Sequence, residues 1–224
     1  MKVYGKNVFN ELDLKKVRKV YLSKNFNDKD IINIIKINKL KYVNVDQKVL
    51  DGMFAHNQGI VVEINDYDYK SMKDINFEEK MILILDHLED PHNFGAIIRT
   101  CEAKGIKTIV IPKDRSVIVN ETVMKTSSGA LSNVNIVMVN NLVKCIDEFK
   151  NKGYFVYGAE ANGTDYKNVD YSDKVCLVIG SEGNGLSRLV MDACDEIISI
   201  PMRGKVNSLN ASVAAAILIY GIGE

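Results

Sequence analysis

The sequence predicts an α/β protein in two parts: a small α/β unit over residues 1–65 and a larger parallel-sheet domain over 80–224, joined by a polar stretch at 66–79. Three observations lead there. The apolar runs Met81-Ile82-Leu83-Ile84-Leu85 and Val175-Cys176-Leu177-Val178-Ile179 are continuous, not alternating, which marks strands buried on both faces. Such runs alternate with segments of helical period, the pattern of a sheet covered by helices on both sides. Two strand ends run directly into polar, glycine-bearing loops, at 180–185 and 201–208. Ligands of open α/β sheets bind outside the carboxyl ends of strands, where glycine lets backbone approach them.

Taken in order, residues 17–22 read as a strand and 28–40 as a helix, with Ile31, Ile34 and Ile35 on one face and Asn27 or Asp28 as its cap. Residues 42–45 read as a strand, 47–54 as a short helix and 59–64 as another β-rich run. The stretch 65–77 is polar without a clear period and reads as the linker. Beyond it, strands are predicted at 81–85, 108–111, 136–139, 155–157, 175–179 and 197–200. Helices are predicted at 93–104 (stopped by Gly105), 121–126, 142–152 (stopped by Gly153), 186–193 and from 209 to 222.

Composition narrows the function classes. The 224 residues are 46% hydrophobic and 26% charged, an ordinary globular mixture with a formal net charge of zero. The charge is unevenly spread. Residues 1–70 hold 13 Lys and Arg against 9 Asp and Glu, and the remainder holds 16 against 20. A basic first part on a neutral whole suggests an anionic partner there. The four cysteines, Cys101, Cys145, Cys176 and Cys194, form no CxxC pair and are expected to be buried, reduced thiols. No run approaches the roughly 18 apolar residues of a membrane span, and the first twenty residues lack an apolar signal core, so a cytoplasmic protein is expected.

Three loops could carry chemistry. The first runs from Asp86 through His87, Glu89, Asp90, His92 and Asn93 into a helix. Its acidic and imidazole groups match no familiar metal-ligand spacing, and carboxylates before a helix also favour its dipole, so no metal is assigned. Asn93 and Arg99 lie nearly two turns apart and can lean toward one side of the helix. Arg99 is expected to face a polar cleft, or else to pair with Glu102, because a guanidinium is costly to bury alone. The second loop, Gly180-x-x-Gly183-x-Gly185, departs from the G-x-G-x-x-G spacing of dinucleotide sites, which disfavours a nicotinamide-dependent oxidoreductase. Its Glu182 suits either a helix cap or a carboxylate set in a cleft. In the third, Ser208 and Asn210 suit capping of the last helix as well as a site.

Read together, these stretches resemble the SpoU (TrmH-type) family of RNA ribose 2′-O-methyltransferases, in the SPOUT class. Asn93-Phe94-Gly95-Ala96-Ile97-Ile98-Arg99 carries the first motif, Leu177-Val178-Ile179-Gly180-Ser181-Glu182-Gly183-Asn184-Gly185 the second, and Ile200-Pro201-Met202 with Ser208-Leu209-Asn210-Ala211-Ser212 the third. The likeness covers about residues 80–224. Asp90-Pro91-His92-Asn93 and Pro112-Lys113-Asp114-Arg115-Ser116 look closest to the bacterial ribosomal RNA guanosine-2′-O-methyltransferase branch. Tyr4-Gly5 and His56-Asn57-Gln58-Gly59-Ile60 resemble that branch's ribosomal-protein-like RNA-substrate domain.

The resemblance implies a C-terminal trefoil knot, S-adenosyl-L-methionine as cofactor, ribosomal RNA as partner and a homodimer formed through the C-terminal domain. It implies that Gly180, Ile200 and Leu209 hold the adenosine through backbone groups, and that Asn93, Arg99, Glu182, Ser208 and Asn210 form the reaction site. The family scheme makes the Arg99 equivalent the base. Guanidinium pKa values above roughly 12 favour instead phosphate binding by Arg99, with the proton acceptor open between Arg99, Glu182 and water. A transfer RNA methyltransferase and a non-catalytic RNA-binding protein on the same fold are the alternatives; Arg99, Glu182 and Asn210 are all present, which favours the enzyme.

Overall fold

The computed structural model describes residues 1–222; the last two positions of the predicted second domain lie outside the described residues. The chain opens with strand β1 (Lys2–Tyr4), helix α1 (Lys6–Glu11), β2 (Val17–Ser23), α2 (Lys29–Ile37), β3 (Tyr42–Val45), α3 (Gln47–Met53) and β4 (Ile60–Ile64). The four strands form one sheet in the order β1-β4-β2-β3, antiparallel except for β2 and β3. Asp28 caps α2 by accepting from the Ile31 amide. Ile31 and Ile35, one turn apart, then drop into a core with Val20, Leu22, Ile60 and Val62. The strand β1 and helix α1 have no signal in the sequence pattern. A three-residue strand shows no period, and β1 exists because Val3 pairs with Val62, some sixty positions away.

The rest of the chain contributes β5 (Met81–Leu85), α4 (Pro91–Lys104), β6 (Thr108–Pro112), α5 (Glu121–Ser127), β7 (Asn135–Val139), α6 (Leu142–Asn151), β8 (Phe155–Asp165), β9 (Val175–Ile179), α7 (Arg188–Ala193), β10 (Glu196–Ser199) and α8 (Ala211–Gly221). Its six strands form an all-parallel sheet in the order β10-β8-β9-β5-β6-β7. Two cores explain the continuous apolar strands. Leu83 and Leu85 pack with Phe94, Ile97 and Ile98 of α4 and with Leu218 and Ile219 of α8. Their neighbours Ile82 and Ile84 point the other way, toward Ile146 and Phe149 of α6 and Val190 of α7. Successive side chains of a strand face opposite sides, so a sheet covered twice needs apolar residues at every position. Helix α4 ends at Gly105 in left-handed conformation (φ 84°), as the sequence predicts.

Two segments differ from their sequence reading. Strand β8 runs eleven residues, not three. Its polar second half is extended because it pairs with β10: Ile197 lies opposite Gly158 and Ile198 opposite Thr164, so residues 159–163 bulge out of the ladder. The linker is also firmly seated. Tyr67 and Tyr69 pack on the larger core. The Lys70 amide donates to the Ile136 carbonyl at 2.9 Å, and the Tyr69 hydroxyl accepts from the Val119 amide at 2.7 Å. The two sheets meet where Met124 of α5 packs on the N-terminal core and the Lys125 ammonium sits 5.3 Å from the Tyr4 ring. No helix among the described residues is long and apolar enough to cross a membrane.

Candidate active site

The carboxyl ends of β5, β8, β9 and β10 converge on one region, and the order of elements places the predicted loops there. Asp90 caps α4, its two oxygens accepting from the His92 amide at 3.1 Å and the Asn93 amide at 3.2 Å, with Pro91 opening the first turn. That cap holds Asn93, 6% exposed, in the first turn. Its side-chain amide donates to Glu182 Oε1. The same oxygen accepts from Asn210 Nδ2 at 3.1 Å. Asn210 caps α8 as well, its Oδ1 accepting from the Ser212 amide at 3.0 Å and the Val213 amide at 3.3 Å. Two side-chain amides from two helix starts thus aim one carboxylate.

Glu182 rides on a turn closed by reciprocal backbone bonds between Ser181 and Gly185, both 3.0 Å. Glycine is required at both ends of it. A Cβ at Gly180 would strike the Gly185 backbone, and Gly185 (φ 63°) has the Glu160 carboxylate where a side chain would stand. The following residues are tied from two sides. Glu160 accepts from the Leu186 amide, and buried Asp86 accepts from the Ser187 amide at 2.6 Å while its other oxygen holds His87 Nδ1. Glu160 escapes the sequence reading, although a carboxylate just past the apolar run 155–159 is a signal of the same kind as Glu182.

A cavity of about 610 Å³ opens beside this turn. Gly180, Glu182, Ile200, Ser208, Leu209 and Asn210 all line it. Its apolar wall comes from Ile179, Ile198 and Leu218, and Glu160 adds a second carboxylate. The loop 201–210 is exposed along its whole length. Of the residues predicted for the reaction site and the cofactor, Arg99 alone stands apart, since Asn93, outside the cavity lining, still bonds Glu182. Arg99 is exposed, lies outside the cavity lining, and makes no ion pair or hydrogen bond among the described residues. Six residues fall about 120° short of two full helical turns, so Asn93 and Arg99 face different ways. Glu102 takes a bond from Asn133 instead of from Arg99.

Among the described residues, no three His, Cys, Asp or Glu side chains come together to hold a metal. Burial raises the thiol pKa of Cys145 and of Cys194 to about 12, and that of Cys101 and Cys176 further, so all four are poor nucleophiles.

An all-parallel sheet with a cavity of small-molecule size at its strand ends, beside an amide-held carboxylate, has the arrangement of an α/β ligand-binding enzyme. The profile of the SpoU rRNA methylase family matches residues 80–220, and that of the RNA 2′-O ribose methyltransferase substrate-binding domain matches 2–70. A Staphylococcus aureus (strain COL) protein assigned to the TrmH family of tRNA/rRNA methyltransferases is 45% identical over 201 residues, 86% of this chain and 81% of that protein. A Staphylococcus haemolyticus relative of the same description is 46% identical over the same spans. Among solved structures, the SpoU methyltransferase AviRb from Streptomyces viridochromogenes, in complex with AdoMet, superposes with a TM-score of 0.87 at 21% identity over 99% of this chain and 88% of that one. The A. aeolicus TrmH/SpoU tRNA modifying enzyme matches at TM-score 0.57 and 33% identity over 63% of this chain and 73% of its own. The chain belongs to the SpoU rRNA methylase family, as an RNA methyltransferase of the TrmH type.

Proposed function

We propose that this protein transfers the methyl group of S-adenosyl-L-methionine to the ribose 2′-hydroxyl of a guanosine in large-subunit (23S) ribosomal RNA, in the cytoplasm. The observation that carries the reading is Glu182, bonded to both Asn93 and Asn210 at the edge of the 610 Å³ cavity. The cavity suits the cofactor. Its volume falls within the roughly 300–1,000 Å³ of small-molecule sites, and its apolar wall suits a purine. The close packing of Gly180 on the Gly185 backbone, which admits no side chain, keeps the turn folded beside the cavity.

When bound, the cofactor supplies an electrophilic sulfonium methyl. Gly180, Ile200 and Leu209 would hold its adenosine through backbone groups. Asn93 and Asn210 orient the Glu182 carboxylate toward the reacting region, and Ser208 lines the same wall. Arg99, exposed and free of protein partners among the described residues, would grip the phosphate next to the target ribose and polarise its hydroxyl. Orienting one hydroxyl supplies most of the rate enhancement, because proximity alone reaches effective molarities of about 10⁵ M or more.

The division of labour in this proposal is residues 1–65 for RNA, 66–79 as connection and 80–224 for catalysis. A C-terminal trefoil knot belongs to it, supported by the path of the chain from edge strand β10 through loop 201–210 back to α8, which packs on α4. So does a homodimer through the C-terminal domain, supported by exposed Val213 and Tyr220 on α8 and exposed Met202 and Val206 before it. A transfer RNA substrate is the second reading, favoured by the tRNA-modifying neighbour and by the tRNA/rRNA description of the relatives. Mapping ribose methylation in ribosomal and transfer RNA, with wild-type protein and an inactive variant, tests both. Methylation confined to transfer RNA overturns the ribosomal assignment, and none in either overturns the reaction.

A further inference from the structure

The turn 181–185 has a cavity on each side. One is the 610 Å³ cavity. The other, about 240 Å³, is lined by Asp86, His87, Glu89 and Arg115 with residues of the turn, and Ser181, Asn184 and Gly185 line both. None of the roles above uses this second cavity. It is smaller than the roughly 300–1,000 Å³ of whole-ligand sites and matches a single nucleobase.

Its charges select the base. Asp86 is buried and already engaged by the Ser187 amide and by His87 Nδ1, so it forms a fixed floor. Glu89 and Arg115 are exposed, and neither makes an ion pair or a side-chain hydrogen bond among the described residues. Opposite charges that line one cavity without meeting leave space for a ligand bearing donors toward one and acceptors toward the other. Two carboxylates against one guanidinium disfavour a phosphate. Guanine fits: its N1–H and N2 amine are adjacent donors that suit a carboxylate, and its O6 and N7 are the acceptors an arginine grips. Adenine carries an acceptor at N1 and a donor at N6, the reverse of what these two residues offer.

We infer that this cavity seats the guanine of the nucleotide to be methylated, with Glu89 accepting from N1–H and the N2 amine and Arg115 donating to O6 and N7. The inference rests on the proposed methylation of a guanosine ribose and adds its base-reading residues. A base seated here has Ser181, Asn184 and Gly185, which line both cavities, between itself and the cofactor cavity. Both Arg115 (φ 51°) and His87 (φ 55°) hold left-handed backbone, uncommon for such residues.

The test titrates 5′-GMP, IMP and AMP into the full-length protein and follows backbone amides by NMR, for wild type, Glu89→Gln and Arg115→Asn. Asparagine tolerates the left-handed backbone, and both sites are exposed, so folded variants are expected and checked by circular dichroism. GMP should shift the amides of His87, Glu89, Arg115 and Asn184 and bind at least about tenfold tighter than AMP or IMP, the discrimination usual for a good bidentate pair. Each substitution should lower GMP affinity about tenfold and leave AMP affinity within about twofold. Equal binding of GMP and AMP, GMP shifts confined elsewhere, or unchanged affinity in both variants overturns the subsite. Ribose methylation mapped separately keeps the failures distinct. Guanosine methylation with full activity in Glu89→Gln sinks the subsite alone, and guanine discrimination without any RNA methylation sinks the proposed reaction alone.

Discussion

Asn210 carries two tasks with one side chain. Its carbonyl oxygen caps α8 while its amide donates to Glu182. The tasks separate by substitution. Asn210→Ala should lose about 1 kcal/mol of stability and most activity. Asn210→Ser keeps a cap of equal quality but cannot reach Glu182, so its melting temperature should stay near wild type while methyl transfer falls. Equal activity in wild type and Asn210→Ser would leave Asn210 only a cap. Arg99 gives the opposite case. With no partner among the described residues, Arg99→Ala should leave thermal stability unchanged and cut methyl transfer on the order of a hundredfold or more. Turnover within a few-fold of wild type would remove Arg99 from the site.

At the scale of elements, the turn between β9 and α7 is held as a rigid piece. The Ser181–Gly185 backbone pair closes it, Glu160 from the β8 bulge fastens one side and Asp86 at the end of β5 fastens the other. Gly185→Ala would place a methyl against Glu160 at a left-handed position. We expect a loss of about 1–3 kcal/mol in stability, and cofactor affinity reduced at least about tenfold, measured by calorimetric titration. Unchanged affinity would mean that the turn does not shape the cofactor cavity.

For the whole molecule, charge is divided between parts. Lys15, Lys16, Arg18 and Lys19 lie together on the N-terminal unit, Lys16 and Lys19 resting on the Tyr67 and Tyr21 rings at 5.7 and 4.9 Å and Arg18 reaching Glu63 at 3.9 Å. Reversing the charge of Lys15, Lys16 and Lys19 should weaken RNA binding and flatten its dependence on salt, by about one unit of slope for each phosphate no longer neutralised, with cofactor affinity unchanged. A salt slope equal to wild type would place the RNA elsewhere. Light scattering should give a dimer mass at micromolar concentration, and residues 80–224 alone should still dimerise. A monomer with full activity would exclude the proposed interface.

What could be read from sequence was what depends on local pattern. Strands β5, β6, β7 and β9 are continuous apolar runs, Asp28 and Asn210 stand at cap positions, and Gly105 ends its helix, because burial on two faces and helix-end geometry each impose a residue type at a fixed spacing. Gly180, Glu182, Ser208 and Asn210 stood out as glycine or polar residues in loops that follow strands, whereas Ile200 and Leu209 came only from the family resemblance; all six line the cavity. Only the tertiary structure decided what depends on partners far along the chain. Strand β1 exists through β4, and the polar half of β8 is a strand because β10 lies beside it. Glu160 enters the site through an amide 26 residues later, and Asn93 meets Glu182 across 89 positions while Arg99, on the same helix, does not. A spacing along one helix fixes an angle, but which way that angle faces is set by the packing of α4 on the sheet and on α8.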